Sequence, residues 1–532
     1  MNNQNSKTLE QVLWNCADIL RGKMDANEYK DYVLGLLFYK YLSDKLLNET
    51  NHLLELKETT SLEAAQKQYK AYFSDEDFLA ELKQTIGFVL SPELTFQNLI
   101  DEIKMNTFQT GSLKKAFQEI EEFGKTFEGI FDDINLDSRK LGENENEINK
   151  VISQIMLELN NVNLLDYSTD ALGDAYEYML SQFASESGKK AGEFYTPKAV
   201  ANLLAKIVML GQENTKNLTV YDPTCGSGSL LLDISKYSSE KQLINYWGQE
   251  KNGTTLSLAK MNMFIHGVEI DHQHLRRGDT LSADWPVEEI TDFNCVVMNP
   301  PYSAKWSADS AFLNSPRFSN YGVLAPKTKA DYAFLLHGFY HLKQTGTMGI
   351  VLPHGVLFRG SSEGKIRKKL VDDGSIYAII GLPSNLFYST SIPTIIMILK
   401  KKRDDQSRDI LFIDASKDFE KNKNQNVLTE QNIEDIISMY KDRKDVDKKC
   451  HLAKYEEIVN NDYNLNIPRY VDTFEKEEDI NISDLINDLD DINKELSKTN
   501  QEILSSVKEL TSKDDSLKED IEKLIKFFSE EK

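Results

Sequence analysis

The sequence predicts an α/β protein: a doubly wound, mostly parallel, Rossmann-like sheet, preceded by an all-helical N-terminal domain and followed by a helical C-terminal arm. Three observations carry this. The first is Val220-Tyr-Asp-Pro-Thr-Cys-Gly-Ser-Gly-Ser-Leu230. Leu218 and Val220 alternate like a short buried strand that Asp222 closes. Pro223 stops the ladder, Gly226 and Gly228 permit positive φ and close approach to backbone, and Leu230, Leu231, Leu232 and Ile234 start a helix. Strand, glycine turn and helix together present backbone N–H groups to a ligand. The second is the apolar run Leu243, Ile244, Tyr246, Trp247, ending in Glu250, about twenty residues on, where an acid can hold ribose hydroxyls. The third is Cys295-Val-Val-Met-Asn-Pro-Pro-Tyr302, a buried strand that ends in a stiff turn. Ligands in such sheets sit beyond the carboxyl ends of the strands, and all three clusters are at strand ends.

In chain order, residues 1–165 read as helices, with Val33, Leu36, Leu37 and Tyr41 at helical spacing. Asp137–Asn149 is polar and reads as an exposed loop, and Asn163, Ser168 and Thr169 are candidate caps for a helix over Leu172–Phe183. In Gly192-Glu193-Phe194-Tyr195-Thr196-Pro197-Lys198, Thr196 is a candidate N-cap with proline in the first turn. An aromatic pair beside a helix start suits an adenosine and a carboxylate. Strand and helix then alternate to about residue 470. Asp279 follows a third strand end and is a candidate acceptor for an adenine amino group, against the plainer role of a turn aspartate. Ser303–Pro326 is a long polar loop. Ile350–Leu352 and Ala378–Leu382 read as buried strands, Ile410–Asp414 as the last strand, and Phe387 or Tyr388 as a second aromatic wall or as core.

Asn299-Pro300-Pro301-Tyr302 has the parts for holding an amino group. Two prolines fix φ. The Asn299 amide oxygen and the Pro300 carbonyl can both accept from one amine, and Tyr302 offers a flat face to a planar base.

With these motifs the chain resembles amino-methyltransferases that use S-adenosylmethionine, and more closely the modification subunit of type I restriction-modification systems. The resemblance extends through Leu13–Met24, Tyr29–Lys40, Gly188–Pro197, Lys327–Phe334 and Leu352–Gly360, nearly the whole chain. It implies adenine-N6 methylation of double-stranded DNA by an S-adenosylmethionine-dependent methyltransferase domain. The donor pocket would comprise Glu193, Phe194, Tyr195, Thr196, Pro197, Lys198, Asp222, Gly226, Ser227, Gly228, Glu250 and Asp279. Asn299, Pro300, Pro301 and Tyr302 would be catalytic, with no metal. The turn alone leaves cytosine N4, a protein glutamine or an RNA guanine amine open as acceptors, and a non-catalytic assembly subunit is the rival from another class. The domains implied are 1–165 helical, 166–470 catalytic and 471–532 a docking arm.

The implied partners are duplex DNA and a target-reading specificity subunit shared by two copies of this chain, with a restriction or translocase subunit as a further candidate. Composition agrees with a division of labour. A net charge of −23 suits a polyanion-binding enzyme poorly, so much of the grip on DNA is expected from a partner. No base-reading domain is evident after Asp414. Instead Ile482, Leu489, Leu496, Ile503, Leu510, Leu517 and Leu524 recur every seven residues, a heptad pattern. Leu485 and Ile492 add a second seam, later replaced by Val507, Ile521 and Phe528. Between Val471 and Lys532 there are 19 acids and 9 bases, so the arm holds ten of the net negative charges. No apolar run reaches membrane-spanning length and the first residues are polar, so a cytoplasmic protein is expected. Cys16, Cys225, Cys295 and Cys450 are far apart and read as small buried hydrophobes.

Overall fold

The computed structural model describes residues 8–56, 61–186, 196–282, 284–286, 292–387, 391–403, 406–422, 425–472 and 482–529. The N-terminal region is α1 (Leu9–Leu20), α2 (Ala26–Leu53), α3 (Leu62–Tyr72), α4 (Glu76–Ile86), α5 (Phe96–Lys104), α6 (Thr110–Glu121) and α7 (Glu145–Leu159). Capping residues set the starts. Thr8 with Gln11 and Asp25 with Glu28 form capping boxes, and Ser61, Asp75, Thr95 and Asn144 accept from their first turns. Asn144 shortens the loop expected over Asp137–Asn149: α7 begins at Glu145, and Asn149 is buried. The next helix, α8 (Thr169–Glu186), also starts earlier than expected; Ser168 Oγ accepts from Ala171 N–H, while Asn163 caps a short 3-10 turn instead.

The sheet has strand order β11-β8-β6-β7-β5-β4-β1-β2-β3. Its strands are β1 (Thr219–Asp222), β2 (Asn245–Glu250), β3 (Gln273–Arg277), β4 (Phe293–Met298), β5 (Leu342–Pro353), β6 (Ile376–Gly381), β7 (Thr394–Leu399) and β8 (Ile410–Asp414), with β11 (Cys450–Ala453) at one edge. A separate small hairpin pairs β9 (Glu420–Lys421) with β10 (Asn426–Val427). β1, β2, β3, β4 and β5 run parallel; β7 is antiparallel between β5 and β6, and β11 is antiparallel on β8. Ile410–Asp414 is therefore not the last strand. Cys450–Ala453 follows it, a four-residue edge strand too short to announce itself by alternation. The helices α9 (Lys198–Met209), α10 (Ser229–Leu232), α11 (Gly253–Ile265), α12 (Asp331–Tyr340), α13 (Ser361–Asp372), α14 (Glu430–Asp442) and α15 (Tyr455–Asn460) complete this region. The helix expected after the glycine turn is short: α10 tightens into a 3-10 segment at Asp233–Tyr237.

From β1 the chain steps outward to β2 and β3, then returns to β4 on the other side of β1. That reversal opens a crevice at the carboxyl ends of β1 and β4, the place where doubly wound sheets bind ligands. The helical region is fused to this half of the sheet. Leu258, Met261, Phe264 and Ile265 of α11 belong to its core, Phe127 stacks on Phe264 at 4.9 Å, and Tyr41 OH donates to the Phe264 carbonyl at 3.0 Å. Residues 1–472 form one compact unit and residues 473–532 a second.

In the second unit α16 (Ile482–Lys508) and α17 (Asp515–Ser529) touch one another. The heptad run is not one helix. It breaks after Lys508, and Ser512 and Asp514 cap the restart by accepting from Asp514 N–H and Ser516 N–H. All four cysteines are buried. Among the described residues no helix is long and apolar enough to cross a membrane.

Candidate active site

β1 stops at Asp222 because Pro223 has no N–H to extend the ladder. The turn then folds over the end of β2. Cys225 N–H donates to the Gln249 carbonyl at 3.0 Å and Gly226 N–H donates to Glu250 Oε2 at 3.2 Å, while Glu250 Oε1 accepts from Asn252 N–H at 2.8 Å. Gly226 and Gly228 have φ of 54° and 79°, and a Cβ on Gly228 would stand 3.3 Å from Met263 Cε. Glycine meets both demands at Gly228 without strain. Thr280 Oγ1 lies 2.5 Å from the Pro223 carbonyl and 2.9 Å from Gln249 Oε1, so the ends of β1, β2 and β3 are tied together.

A cleft of about 1740 Å³ runs along these ends. Thr224, Glu250, Asp279, Asn299 and Pro301 line it from the sheet. Asp279 serves as a turn residue too, accepting from Leu281 N–H at 3.1 Å, and its other oxygen is 2.8 Å from Lys251 Nζ. The remaining glycine-turn residues stand behind the wall. Asp222 is buried and accepts from Thr224 N–H at 2.8 Å; burial pushes its carboxyl up to about 8, with the Glu250 charge adding to the rise against the Thr224 hydrogen bonds. Ser227 is buried beside Ser229, and its carbonyl accepts from Asn262 Nδ2 at 3.0 Å.

Of the segment before α9, Glu193, Phe194 and Tyr195 lie outside the described residues, as does Tyr388. Thr196 does not cap the helix: Pro197 occupies that position, and no side chain caps it. The Thr196 hydroxyl accepts instead from Asn299 Nδ2 at 3.1 Å. Lys198 is turned to Asp174, 2.6 Å away on the exposed surface, rather than into the cleft lining.

At the end of β4, Tyr302 OH donates to Asn299 Oδ1 at 2.8 Å. Both ends of the Asn299 carboxamide are thus held. Burial pushes the Tyr302 phenol up, so it stays a donor. Phe387 is buried and meets Tyr302 edge to face at 6.1 Å, so the two rings touch and do not stand apart as parallel walls.

Several contributors were invisible in the sequence. Asn27, Lys30, Asp31, Gly129 and Asp133 of the helical region also line the cleft. Burial pushes the Asp31 carboxyl up to about 6 in spite of Lys30 at 2.7 Å. Asp331, fully buried at the start of α12, accepts from Ser303 N–H at 2.8 Å and pairs with Arg359 at 2.9 Å, which also pairs with Glu363. These residues brace the far side of the Asn-Pro-Pro-Tyr turn. The loop Ser303–Pro326 is likewise ordered around Trp306, Phe312 and Phe318, with Arg317 donating to the Thr280 carbonyl at 3.0 Å.

The N-6 DNA Methylase family model matches residues 167–479, and the HsdM N-terminal domain model matches residues 9–159. The chain belongs to the N-6 DNA methylase family and is therefore a DNA methyltransferase by class. Within it the chain is a methylase subunit of the type I restriction-modification kind. It is 36% identical over 528 residues to the type I restriction enzyme MpnII methylase subunit of Mycoplasma pneumoniae, covering 94% of this chain and 96% of that one. The MjaVII methylase subunit of Methanocaldococcus jannaschii is 32% identical over 92% of this chain and 82% of its own length. A crystal structure of the type I methyltransferase subunit from Streptococcus thermophilus superposes with a TM-score of 0.85 at 53% identity, covering 88% of this chain and all of that one.

Proposed function

We propose that this chain transfers a methyl group from S-adenosylmethionine to N6 of an adenine extruded from duplex DNA, and that a target-reading subunit chooses the sequence. The observation that carries the reading is the shared cleft: Glu250 and Asp279 line it together with Asn299 and Pro301, at the switch point of the sheet. The donor fits the residues present. Thr224 brings the start of the glycine turn to the cleft, Glu250 stands where ribose hydroxyls need an acceptor, and Asp279 stands one strand further along. When bound, S-adenosylmethionine supplies an activated methyl on a sulfonium.

The chain's own residues do the rest by positioning. The base leaves the stack at a cost of about a few kcal/mol. Asn299 Oδ1 keeps one lone pair beyond the Tyr302 hydrogen bond, and with the Pro300 carbonyl it accepts from the target amine. That aims the nitrogen lone pair. Tyr302 would stack on the base. Two copies of the chain on one specificity subunit, docked through the arm, would place a site on each strand of the target. Such a chain works in the cytoplasm.

The test is co-purification with the target-reading subunit, incubation with methyl-labelled donor, and sequencing of modified bases. N6-methyladenine at one defined sequence is the expected result; label in protein, or in cytosine, overturns the reading.

A pH dependence follows from Asp222. At neutral pH the folded chain keeps this proton, which the unfolded chain has lost, so the site's contribution to stability falls as pH rises from about 4 to about 8. A donor bearing a permanent sulfonium charge favours the ionised form. Donor affinity should therefore rise with pH and level off above about 8. Titration calorimetry in two buffers of different ionisation heat should register proton release below that pH, and Asp222→Asn should remove it. Proton-neutral binding of the wild-type chain would separate Asp222 from the donor.

A further inference from the structure

We infer that Thr196 is a positioning residue for methyl transfer, setting which end of the Asn299 carboxamide faces the target amine. The inference rests on the reading of Asn299 as the acceptor that holds that amine. An asparagine amide has nearly the same shape when turned by half a rotation, but the two orientations differ in chemistry. With Oδ1 toward the amine the site accepts. With Nδ2 there, two donors oppose each other and the nitrogen lone pair loses its aim.

The orientation is chosen by the two hydroxyls that grip the amide. Tyr302 OH donates to Oδ1 at 2.8 Å, and Thr196 Oγ1 accepts from Nδ2 at 3.1 Å. A phenol is the better donor of the two and an aliphatic hydroxyl the better acceptor, so the pair favours this orientation over its reverse. Thr196 is free for this work because Pro197 takes the N-cap position and no side chain caps the helix there. It is also well anchored. α9, which begins two residues later, buries Val200, Ala201, Leu203, Leu204 and Ile207 and packs on β4 and β5. Thr196 thus ties a helix start on one flank of the sheet to the catalytic turn 103 residues away.

The test compares Thr196→Val, Thr196→Ser and Asn299→Ala in the purified complex with the target-reading subunit. Valine keeps the shape and removes the acceptor. Its turnover should fall about 10- to 100-fold, the range expected when one buried polar group loses its partner. KM for DNA and donor Kd by calorimetry should stay within about twofold, a level well below any lost hydrogen bond. Serine should restore most of the turnover. Wild-type turnover in Thr196→Val, or failure of serine to rescue, overturns the inference. So does a loss of donor affinity as large as the loss of turnover, which would make Thr196 a donor contact. Asn299→Ala separates the two levels: if it is inactive while Thr196→Val is normal, only the role of Thr196 fails, whereas an active Asn299→Ala removes the reading beneath it.

Discussion

Asn299→Ala is expected to lower the methylation rate by about 10²–10³-fold, the loss seen when one preorganised polar group is taken from a reacting centre. Donor binding should persist. Glu250 and Asp279 sit at the ends of β2 and β3, whereas the Asn299 side chain is held by Thr196 and Tyr302 at the end of β4. The fold should persist too, because Cys295, Val296, Val297 and Met298 carry the burial of β4 and Asp331 with Arg359 holds the turn from its far side. Single-turnover transfer of labelled methyl, with donor Kd measured on the same preparation, checks both halves. Turnover near wild type would remove Asn299 from the chemistry. Loss of donor binding with turnover would make it part of the donor pocket.

What the sequence disclosed about this centre was local. Glycines that need positive φ, a strand that ends in a proline, and an acid at the next strand end are each readable within ten residues or so, because backbone sterics and strand burial write them there. Pairings across the chain are not written locally. Thr196 looked like an N-cap because Thr-Pro is a common helix start, yet its hydroxyl serves Asn299, and only the packing of α9 on the sheet brings them together. Lys198 looked equally eligible for the pocket and went to Asp174 on α8. The helical wall of the cleft was hidden for the same reason. Asp31 on α2 and Asp133 beyond α6 reach it only because α11 is shared by both regions; Thr254 of α11 donates to Asp133 at 2.7 Å. In the arm the heptad period was plain, but the break after Lys508 was not, since the apolar spacing runs on through Leu510 while Ser512 and Asp514 restart the helix.

Deleting residues 482–532 should abolish the complex with the target-reading subunit and leave donor binding untouched. The deleted helices form their own compact unit, and every residue assigned above to donor or amine lies in the other. The arm keeps an apolar surface that its own two helices do not cover: Leu489 is 51% exposed, Ile492 61%, Leu496 57% and Phe527 73%. On a chain of net charge −23 such a stripe is not a general adhesive; the acids around it favour a partner helix with apolar spacing and basic flanks. Complete burial of such a side chain is worth about 1.5–3 kcal/mol, and these are already part-covered, so the stripe offsets the cost of association only together with the partner's other contacts. Consequently the full chain alone should bind DNA weakly and without sequence preference, and site-specific methylation should appear only when the partner is added. Size-exclusion chromatography of the pair, with and without the arm, reads the first part. Methylation of one defined sequence by the unpartnered chain, or a truncated chain that still elutes with the partner, would place both the docking surface and the choice of sequence elsewhere in the molecule.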